Sequence, residues 1–485
     1  MSHTVRRAAV LLAAMTFVGA CAGQGGATAT PAAPSTAPST APSTAPSTAA
    51  TPGASTAPSA AAAIDWKKYS GTEITFLADQ HPWTDGMTPL LDQFTAATGI
   101  KVNVQPFSED LYFDKMEQTV RAAKGTADVY FLPMDSTGFS QFGANAIEPL
   151  TPYLNDATKT AADYNFADFP KGFLTGGTYP PGDASAQLYG IPISFETYIL
   201  FYNKDLVNKY LGGVLPTTFP DLIAAAKKIN TDGAKDGVSG AVMRGIRSDT
   251  IMDTLSGVVY NAWGAADAPA PYGLWFDGAW TKPRLTDPGV CQGLANYGGM
   301  LAAGPSNKFA IDWPDANTLF SQGKTAFFID ASLFGPSYED TTTSQVAGKV
   351  GYAVLPPQTA GGQSFTGDWM WGLGIPKNST KKDAAWYFIQ WMTNQANTAK
   401  IGASTGGAPR LSAYSDPTYT GKLNPDYIKT VSGAMQSSRS TVIFKESWKD
   451  GALAVVDTML QLAQGKDQAT ACAAGNTALA AAVNK

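Results

Sequence analysis

Acidic and aromatic residues lie in and beside predicted strands, where their side chains could bind a ligand. Glu196 is the single carboxylate in an apolar, extended stretch from Leu188 to Leu206. An ionised group in such a stretch requires a partner or a ligand. Trp369 and Trp371 lie in a second apolar stretch. Carboxylates accept hydrogen bonds and indole rings cover apolar faces, so these three residues are candidates for ligand binding.

Eight further residues are candidates for ligand binding because they follow predicted strands or lie in loops beside them. They are Asp79, His81, Trp83, Asp135, Arg244, Trp313, Asp330 and Arg410. Each residue type has a structural alternative. A carboxylate can cap a helix, an arginine can lie on the surface, and a tryptophan can belong to the core. For Glu196 the alternative is a structural ion pair.

The sequence offers little for catalysis. Its only histidines are His3 and His81, and His3 belongs to the N-terminal leader. The H-E-x-x-H and G-x-x-x-x-G-K-[ST] motifs do not occur. No Cys/His spacing indicates a metal site, and we expect no cofactor. A glycosidase needs only two suitably placed carboxylates, so a lipid-anchored extracellular glycoside hydrolase remains the alternative function.

The N-terminus has the layout of a signal peptide over residues 1–20. Arg6 and Arg7 precede an apolar run from Ala8 to Ala20. That run is shorter than the ~20 residues that a membrane-spanning helix needs. The segment 18–21, Val-Gly-Ala-Cys, resembles a bacterial lipobox, which predicts lipidation of Cys21 and an anchor on the outer face of the cell membrane. The alternative is an ordinary cleaved signal that removes Cys21.

Residues 21–63 are predicted to form a lipidated cysteine followed by a disordered tether. The segment is nearly all Ala, Pro, Ser, Thr and Gly, a composition that cannot bury a core. The remaining ~420 residues are typical of two domains. Net charge is −5 and no basic run follows the leader, so we expect an uncharged ligand and no nucleic acid. Cys291 and Cys472 either form a disulfide or remain buried free thiols.

The first folded part alternates between strand and helix patterns. Strands are predicted at 73–78, 100–107 and 127–132, with helices at 87–98 and 108–124. This order predicts an α/β fold with a mostly parallel sheet covered by helices. Ligands at such sheets bind beyond the carboxyl ends of the strands. Asp79, His81, Trp83 and Asp135 lie at those ends.

Four segments, in order, resemble the family 1 extracellular solute-binding proteins of sugar-importing ABC transporters. They are 192–206 (P…E…YN+DL), 319–330 (F..G+.A..), 368–376 (G…W..GIP) and 406–410. Within that family, the segments 243–245, 328–330 and 369–371 look most similar to the polyol-binding members. The resemblance implies a type II two-lobed periplasmic-binding-protein-like fold, each lobe a mostly parallel sheet flanked by helices, with a hinge of crossing strands.

The resemblance also implies lobe boundaries and partners. It divides the chain into 64–195 (lobe 1, first part), 196–370 (lobe 2, first part), 371–412 (lobe 1, second part) and 413–485 (the C-terminal helices of lobe 2). It implies a monomeric binding protein, not an enzyme, that captures a carbohydrate or polyol and delivers it to the permease subunits of an ABC transporter. A Cys291–Cys472 bridge would then lie within the second lobe.

Overall fold

The computed structural model describes residues 64–264, 273–277, 281–440, 443, 445 and 448–483. The predicted signal peptide, Cys21 and the tether lie outside the described residues. Among the described residues, no helix has the length and apolar character needed to cross a membrane.

Eleven strands are assigned within the described ranges. They are β1 (Glu73–Asp79), β2 (Lys101–Phe107), β3 (Val129–Pro133), β4 (Thr178–Tyr179), β5 (Gln187–Leu188), β6 (Ile191–Asn203), β7 (Ser239–Val242), β8 (Thr325–Ala331), β9 (Val350–Ala353), β10 (Thr366–Gly374) and β11 (Ser438–Ser440).

Seventeen α-helices are assigned in the same ranges. They are α1 (Pro82–Met87), α2 (Leu91–Thr98), α3 (Glu109–Arg121), α4 (Gly138–Gly143), α5 (Thr151–Leu154), α6 (Lys204–Leu211), α7 (Phe219–Asp232), α8 (Met252–Trp263), α9 (Pro288–Ala302), α10 (Trp313–Ser321), α11 (Gly335–Tyr338), α12 (Lys382–Met392), α13 (Gln395–Thr405), α14 (Pro417–Thr420), α15 (Pro425–Ser437), α16 (Trp448–Ala463) and α17 (Gln468–Val483).

One long strand, β6, joins the two halves of the sheet. Its apolar, β-branched and aromatic residues favour an extended backbone, and almost all of them are buried. The first half of β6 pairs with β10, and the second half pairs with β8 and β9. At the end of β6 the side chain of Asn203 accepts hydrogen bonds from the backbone N–H groups of Asp205 and Leu206. This cap ends the strand and starts α6.

The sheet is parallel at its two ends and antiparallel in the middle. Its order is β2-β1-β3-β10-β6-β8-β7, with β11 beside β10 and β9 beside β6. Strands β1, β2 and β3 are parallel, as are β7 and β8. The strands β6 and β10 run antiparallel to each other, and each also pairs antiparallel with a neighbour on its other side. The sheet as a whole is therefore mixed, because the two crossing strands reverse its direction.

Two apolar cores lie on either side of this crossing. We use first lobe for β1–β3 with the helices around them, and second lobe for β7 and β8 with α7–α9, α16 and α17. The first core includes residues of β1, β3 and α12, and the second includes residues of α8, α9 and α16. The lobe boundaries drawn from the sequence stay predictions. In the structure Tyr419 and Val431, on α14 and α15, belong to the first core.

A disulfide joins two helices of the second lobe. Cys291 on α9 and Cys472 on α17 have an S–S distance of 2.00 Å. Of the two alternatives that the sequence leaves open, the structure has the bridge. Both cysteines belong to the second core, so the bridge ties together elements of one lobe and leaves the crossing strands untouched.

Candidate ligand-binding cleft

A cavity of about 300 Å³ lies between the two lobes. On the first lobe it is lined by residues at or just after the carboxyl ends of β1 and β3, such as Asp79 and Ser136. On the second lobe it is lined by residues that follow β7 and β8, such as Arg244 and Leu333. The carboxyl ends of the parallel strands of both lobes therefore meet at one cavity, as expected for ligand sites in α/β sheets.

The structure brings most of the sequence-predicted residues to this cavity and leaves some elsewhere. Those that line it are Asp79, His81, Glu196, Arg244, Trp313, Trp369 and Trp371. Those that do not are Trp83, Asp135, Asp330 and Arg410.

Glu196, the carboxylate of β6, has a defined partner. The Nδ1 atom of His81 accepts a hydrogen bond from the backbone N–H of Trp83 at 3.1 Å. Nδ1 therefore carries no proton in this arrangement, and the ring proton lies on Nε2. Nε2 donates to Glu196 Oε1 at 3.2 Å. The carboxylate is thus both paired and part of the cavity wall, so the two interpretations of Glu196 are compatible.

Trp369 and Trp371 form an aromatic wall of the cavity. They are two residues apart on β10 and therefore project from the same face of the strand. Their ring centroids are 5.8 Å apart in an edge-to-face arrangement. Trp371 also packs against Phe131 at 5.0 Å and Phe113 at 5.9 Å. These neighbours fix the orientation of an apolar surface suited to C–H groups.

Arg244 is held rigidly at the cavity by acidic partners. Its Nε donates to Asp330 Oδ2 at 2.9 Å, and its Nη2 donates to Asp330 Oδ1. Its Nη1 donates to the carbonyl of Thr250 at 2.6 Å and to Asp253 Oδ2 at 3.1 Å. Asp330 therefore lies behind Arg244 and positions it, which differs from the predicted contact with ligand. Burial raises the pKa of Asp253 to about 7 although Arg244 lowers it.

Trp83 and Asp135 also lie behind the wall. The indole of Trp83 is buried against Phe76 and Phe131 in the first core. Asp135 Oδ2 accepts a hydrogen bond from the backbone N–H of Met370 at 2.8 Å. Burial raises the pKa of the Asp135 carboxyl well above its ordinary value. Strand ends place both residues near the cleft, but their side chains point into the protein.

Arg410 is part of the first lobe's interior and does not reach the cavity. Its guanidinium donates to the carbonyl groups of Thr393 at 2.6 Å, Asn165 at 2.8 Å and Tyr164 at 3.0 Å. The guanidinium also lies 4.0 Å from the ring centroid of Phe169. The side chain supplies donors to backbone carbonyl groups inside the first lobe. The expectation that the loop 406–410 places this arginine over a ligand is therefore wrong.

The sequence interpretation missed a face of α3 that lines the cavity. Glu109, Phe113, Glu117 and Arg121 all belong to it. Glu109 accepts a hydrogen bond from the indole Nε1 of Trp313 at the start of α10, the helix that precedes β8 of the second lobe. Burial, followed by the charge of Asp79, raises the pKa of Glu109 well above its ordinary value. The four-residue spacing of these side chains was the sequence signal that they share one helix face. A polar helix face usually indicates contact with solvent, so the spacing alone did not predict a cavity wall.

Further cavity residues lie in the segments after β7, after β8 and around the start of α16. They are Asp249, Thr250, Met252, Asp253, Leu333, Phe334, Lys445, Trp448 and Lys449. Phe334 stacks on Trp313 with ring centroids 5.6 Å apart. Among the residues that the structure describes, no group of three or more His, Cys, Asp or Glu side chains could hold a metal ion. Hydrogen-bonding groups and aromatic rings are therefore what this part of the chain offers a ligand.

Asp79 gives the cavity a pH-dependent acceptor. Its Oδ1 atom is buried and has no hydrogen-bond partner. Burial raises the pKa of Asp79 to about 7, against the opposing effect of His81. Glu196 and Glu109 also face this carboxyl. A ligand hydroxyl that donates to Asp79 would favour its ionised form.

We expect Asp79→Asn to change how stability depends on pH. An unfolded aspartate has a pKa of about 3.9, so the folded state of this group binds more protons between about pH 4 and 7. Its contribution to stability is full below about pH 4 and is lost as pH rises through 7. The variant should therefore gain stability relative to the unchanged protein between about pH 5 and 7.5. Denaturant unfolding of both proteins at pH 5 and at pH 7.5 measures the difference in stability between them. A difference that is the same at both pH values would contradict a raised pKa of Asp79.

Comparisons with known proteins identify the family. Residues 80–399 match the model of the bacterial extracellular solute-binding protein family, and the chain belongs to this family. An erythritol/L-threitol-binding protein of Mycolicibacterium smegmatis is 28% identical over 84% of this chain and 86% of its own length. A mannitol-binding protein of Pseudomonas aeruginosa is 31% identical over 47% of this chain and 51% of its own length.

Solved structures give the same fold. An ABC transporter solute-binding protein of Agrobacterium radiobacter K84, in complex with ribitol, has a TM-score of 0.70 and 22% identity, covering 85% of this chain and 98% of that chain. A second ABC transporter solute-binding protein, from Agrobacterium vitis S4 with bound D-mannitol, has a TM-score of 0.68 and 23% identity. The match covers 84% of this chain and 97% of that chain. These similarities confirm the predicted two-lobed α/β fold. Family membership makes the chain an extracellular binding protein and not an enzyme, so the glycoside hydrolase alternative is set aside.

Proposed function

We propose that this protein captures a sugar or polyol in the cleft between its lobes and delivers it to the permease of an ABC importer. The observation that carries the proposal is the composition of the cavity wall. Carboxylates and a fixed guanidinium surround an aromatic surface at the point where both lobes meet. This combination matches the hydroxyl edges and C–H faces of a polyhydroxylated ligand.

Each group of the wall has a role in this proposal. Asp79 and Glu196 accept hydrogen bonds from ligand hydroxyls, while Arg244 donates to hydroxyl oxygens. Trp369 and Trp371 cover the carbon skeleton. Charge-assisted hydrogen bonds of this kind are about twice as strong as neutral ones, and enclosure between lobes removes competing water.

The relatives favour a polyol within this class. Two of them are named for binding erythritol or L-threitol and mannitol, and two structural neighbours hold ribitol and D-mannitol. An open-chain polyol presents a hydroxyl on each carbon, which suits a cavity with hydrogen-bonding groups on several sides. We therefore infer that a polyol is the preferred ligand.

Closure of the lobes is the proposed signal to the permease. The strands β6 and β10 connect the lobes, and contacts such as that of Glu109 with Trp313 join them across the cleft. A bound ligand that touches both sides stabilises the closed arrangement. Small-angle scattering of the monomer should show compaction on addition of ligand, and an unchanged radius of gyration would contradict closure.

We propose further that Cys21 anchors the protein to the outer face of the cell membrane and that residues 22–63 serve as its tether. The support is the lipobox-like segment and the composition of the residues that follow. Membrane fractionation of Cys21→Ala tests the anchor. The variant should leave the membrane fraction, and retention there would contradict lipidation at this residue.

A ligand screen tests the proposed function itself. Thermal unfolding with tetritols, pentitols, hexitols and the corresponding sugars should raise the melting temperature for at least one compound, because a ligand that binds only the folded state stabilises it. Incubation with glycosides should leave them intact. A screen in which no sugar or polyol raises the melting temperature would contradict the proposal.

A further inference from the structure

Three carboxylates of the cavity wall lie close together. Strands β1 and β2 pair in parallel with Asp79 opposite Phe107, and Glu109 follows Phe107 at the start of α3. Glu196 reaches the same region from β6, where it bonds to His81, which follows Asp79 by two residues. All three carboxylates line the cavity. We call Asp79, Glu109 and Glu196 the acidic wall.

The acidic wall contains carboxylate oxygens that receive no hydrogen bond from the described residues. Asp79 is 2% exposed, and its Oδ1 atom is buried without a partner. Glu109 accepts from Trp313 through Oε2, and Glu196 accepts from His81 through Oε1. Within the described part of the chain, no hydrogen bond ends at the second oxygen of either glutamate. A ligand with N–H or O–H donors would supply the bonds that these oxygens lack.

The acidic wall also has no directly paired cation among the described residues. Its partner His81 carries one ring proton, because Nδ1 accepts from the backbone N–H of Trp83. The imidazole is therefore neutral in this arrangement. In the described ranges, no lysine or arginine nitrogen lies within ion-pair distance of the three carboxylates. Their negative charge thus depends on a more distant compensation.

Lysine and arginine side chains line the cavity without pairing with the acidic wall. They are Arg121, which pairs with Glu117, and Arg244, Lys445 and Lys449. Arg244 pairs with Asp330 and Asp253, so two carboxylates already balance that guanidinium. Lys449 Nζ lies 3.2 Å from Asp114 Oδ1. The charge of the acidic wall is therefore left for a ligand to neutralise.

Two carboxyls of the acidic wall ionise less readily than ordinary ones. Burial raises the pKa of Asp79 to about 7, although His81 opposes this and Glu196 adds to it. Burial, followed by the charge of Asp79, raises the pKa of Glu109 well above its ordinary value, although Arg244 lowers it. A positive charge within about 4–6 Å would favour the ionised forms. A cationic ligand therefore gains more here than a neutral ligand of the same shape.

We propose that the preferred ligand is a polyol that carries a primary amino group and that the acidic wall binds its ammonium. This inference rests on the proposed function and narrows its ligand class. An ammonium has three N–H donors and no acceptor, which suits a wall of unbonded acceptors. A hydroxyl supplies one donor and leaves the charges uncompensated. The earlier expectation of an uncharged ligand rested on the net charge of the whole chain, which does not describe the cleft.

Calorimetric titration with matched compounds tests the inference. One series is sorbitol, glucamine, in which an amino group replaces a terminal hydroxyl, and gluconate, in which a carboxylate replaces it. The corresponding compounds of mannitol and erythritol complete the set. At about pH 7.5 the amine is charged, since the ammonium of lysine has a pKa of about 10.4. In at least one series the amine should bind at least tenfold more tightly than its parent, which is about 1.4 kcal/mol, and the acid more weakly.

Substitutions locate the ammonium. Asp79→Asn and Glu109→Gln should each lower the preference for the amine over its parent at least about fivefold, or about 1 kcal/mol, because each removes one negative charge. Asp114→Asn is the matched control, since Asp114 lines the cavity but pairs with Lys449 and its side chain is 73% exposed. This control should keep the preference. A lowered preference in either variant of the acidic wall places the ammonium there.

The possible results separate this inference from the proposed function. If parent compounds bind and no amine binds more tightly, the inference fails and the proposed function stands. It also fails if an acid binds more tightly than its parent and its amine, because the cavity then selects an anion. If Asp79→Asn and Glu109→Gln both keep the full preference, the ammonium lies elsewhere and the inference fails. If a variant binds no member, the other variant and the unchanged protein decide. If no compound of any series and none of the wider screen binds, the proposed function fails and the inference fails with it.

Discussion

Replacing Asp330 by asparagine is expected to lower the free energy of unfolding by about 3–5 kcal/mol, the usual cost of removing one partner of a buried ion pair. Asp330 is completely buried, and Arg244 is 3% exposed. Two hydrogen bonds join their side chains. In the variant the guanidinium would keep only Asp253 as a charged partner. It would also lose the fixed orientation from which it reaches the ligand.

An exposed ion pair of the same lobe provides the control. Arg247 and Asp457 are joined by hydrogen bonds of 2.6 and 2.8 Å, but their side chains are 56% and 39% exposed. Solvent screens such pairs, so Asp457→Asn should cost less than about 1 kcal/mol. Denaturant unfolding of the ligand-free variants measures both effects. Equal losses would contradict the buried pairing of Arg244 with Asp330.

Removing the disulfide should cost about 5 kcal/mol in the loop-entropy description, because the bridge closes a very long loop. Cys291 and Cys472 are 181 residues apart in sequence. The unfolded chain of a Cys291→Ala, Cys472→Ala variant would gain the freedom that the bridge removes. Denaturant unfolding without reductant measures the loss of stability.

The same proteins under reducing conditions serve as the control for the bridge. With the disulfide reduced, the unchanged protein should unfold at nearly the same denaturant concentration as the double variant. The difference should therefore exist only under oxidising conditions. An unchanged unfolding curve for the oxidised double variant would show that the bridge contributes nothing to stability.

Much of the fold could be predicted because its signals are local. The stretch containing Glu196 has the composition of a strand, and Asn203 has the position and chemistry of a helix cap. The alternating order of strands and helices from Glu73 to Pro133 predicts a parallel sheet, with Asp79 at one of its carboxyl ends. Each of these inferences depends on neighbours in sequence, so no knowledge of distant contacts is needed.

The direction of individual side chains could not be predicted in the same way. Arg410 follows a glycine-rich loop, but its guanidinium turns inward and donates to three backbone carbonyl groups. Asp330 was expected to meet the ligand, and its partner Arg244 lies 86 residues away in sequence. The polar face of α3 has the pattern of a solvent-exposed face, and only the folded chain brings Trp313 against Glu109 at its first turn. These outcomes depend on contacts that only the folded chain creates.

Calorimetric titration of Glu196→Gln and Trp371→Ala with the tightest ligand of the screen tests the cleft assignment most directly. Losing a hydroxyl acceptor or a stacking face should each cost at least about 1.4 kcal/mol, which is tenfold in affinity. Glu148→Gln and Trp391→Ala are matched controls, because Glu148 pairs with Lys377 and Lys382, and Trp391 packs on Phe94 away from the cleft.

Our account predicts weakened binding for the two cleft variants and unchanged binding for the two controls. Melting curves of the ligand-free variants accompany the titrations and report any loss of stability. Unchanged affinity with a lowered melting temperature in Glu196→Gln and Trp371→Ala would contradict the account, since both residues would then be structural and the ligand would bind elsewhere.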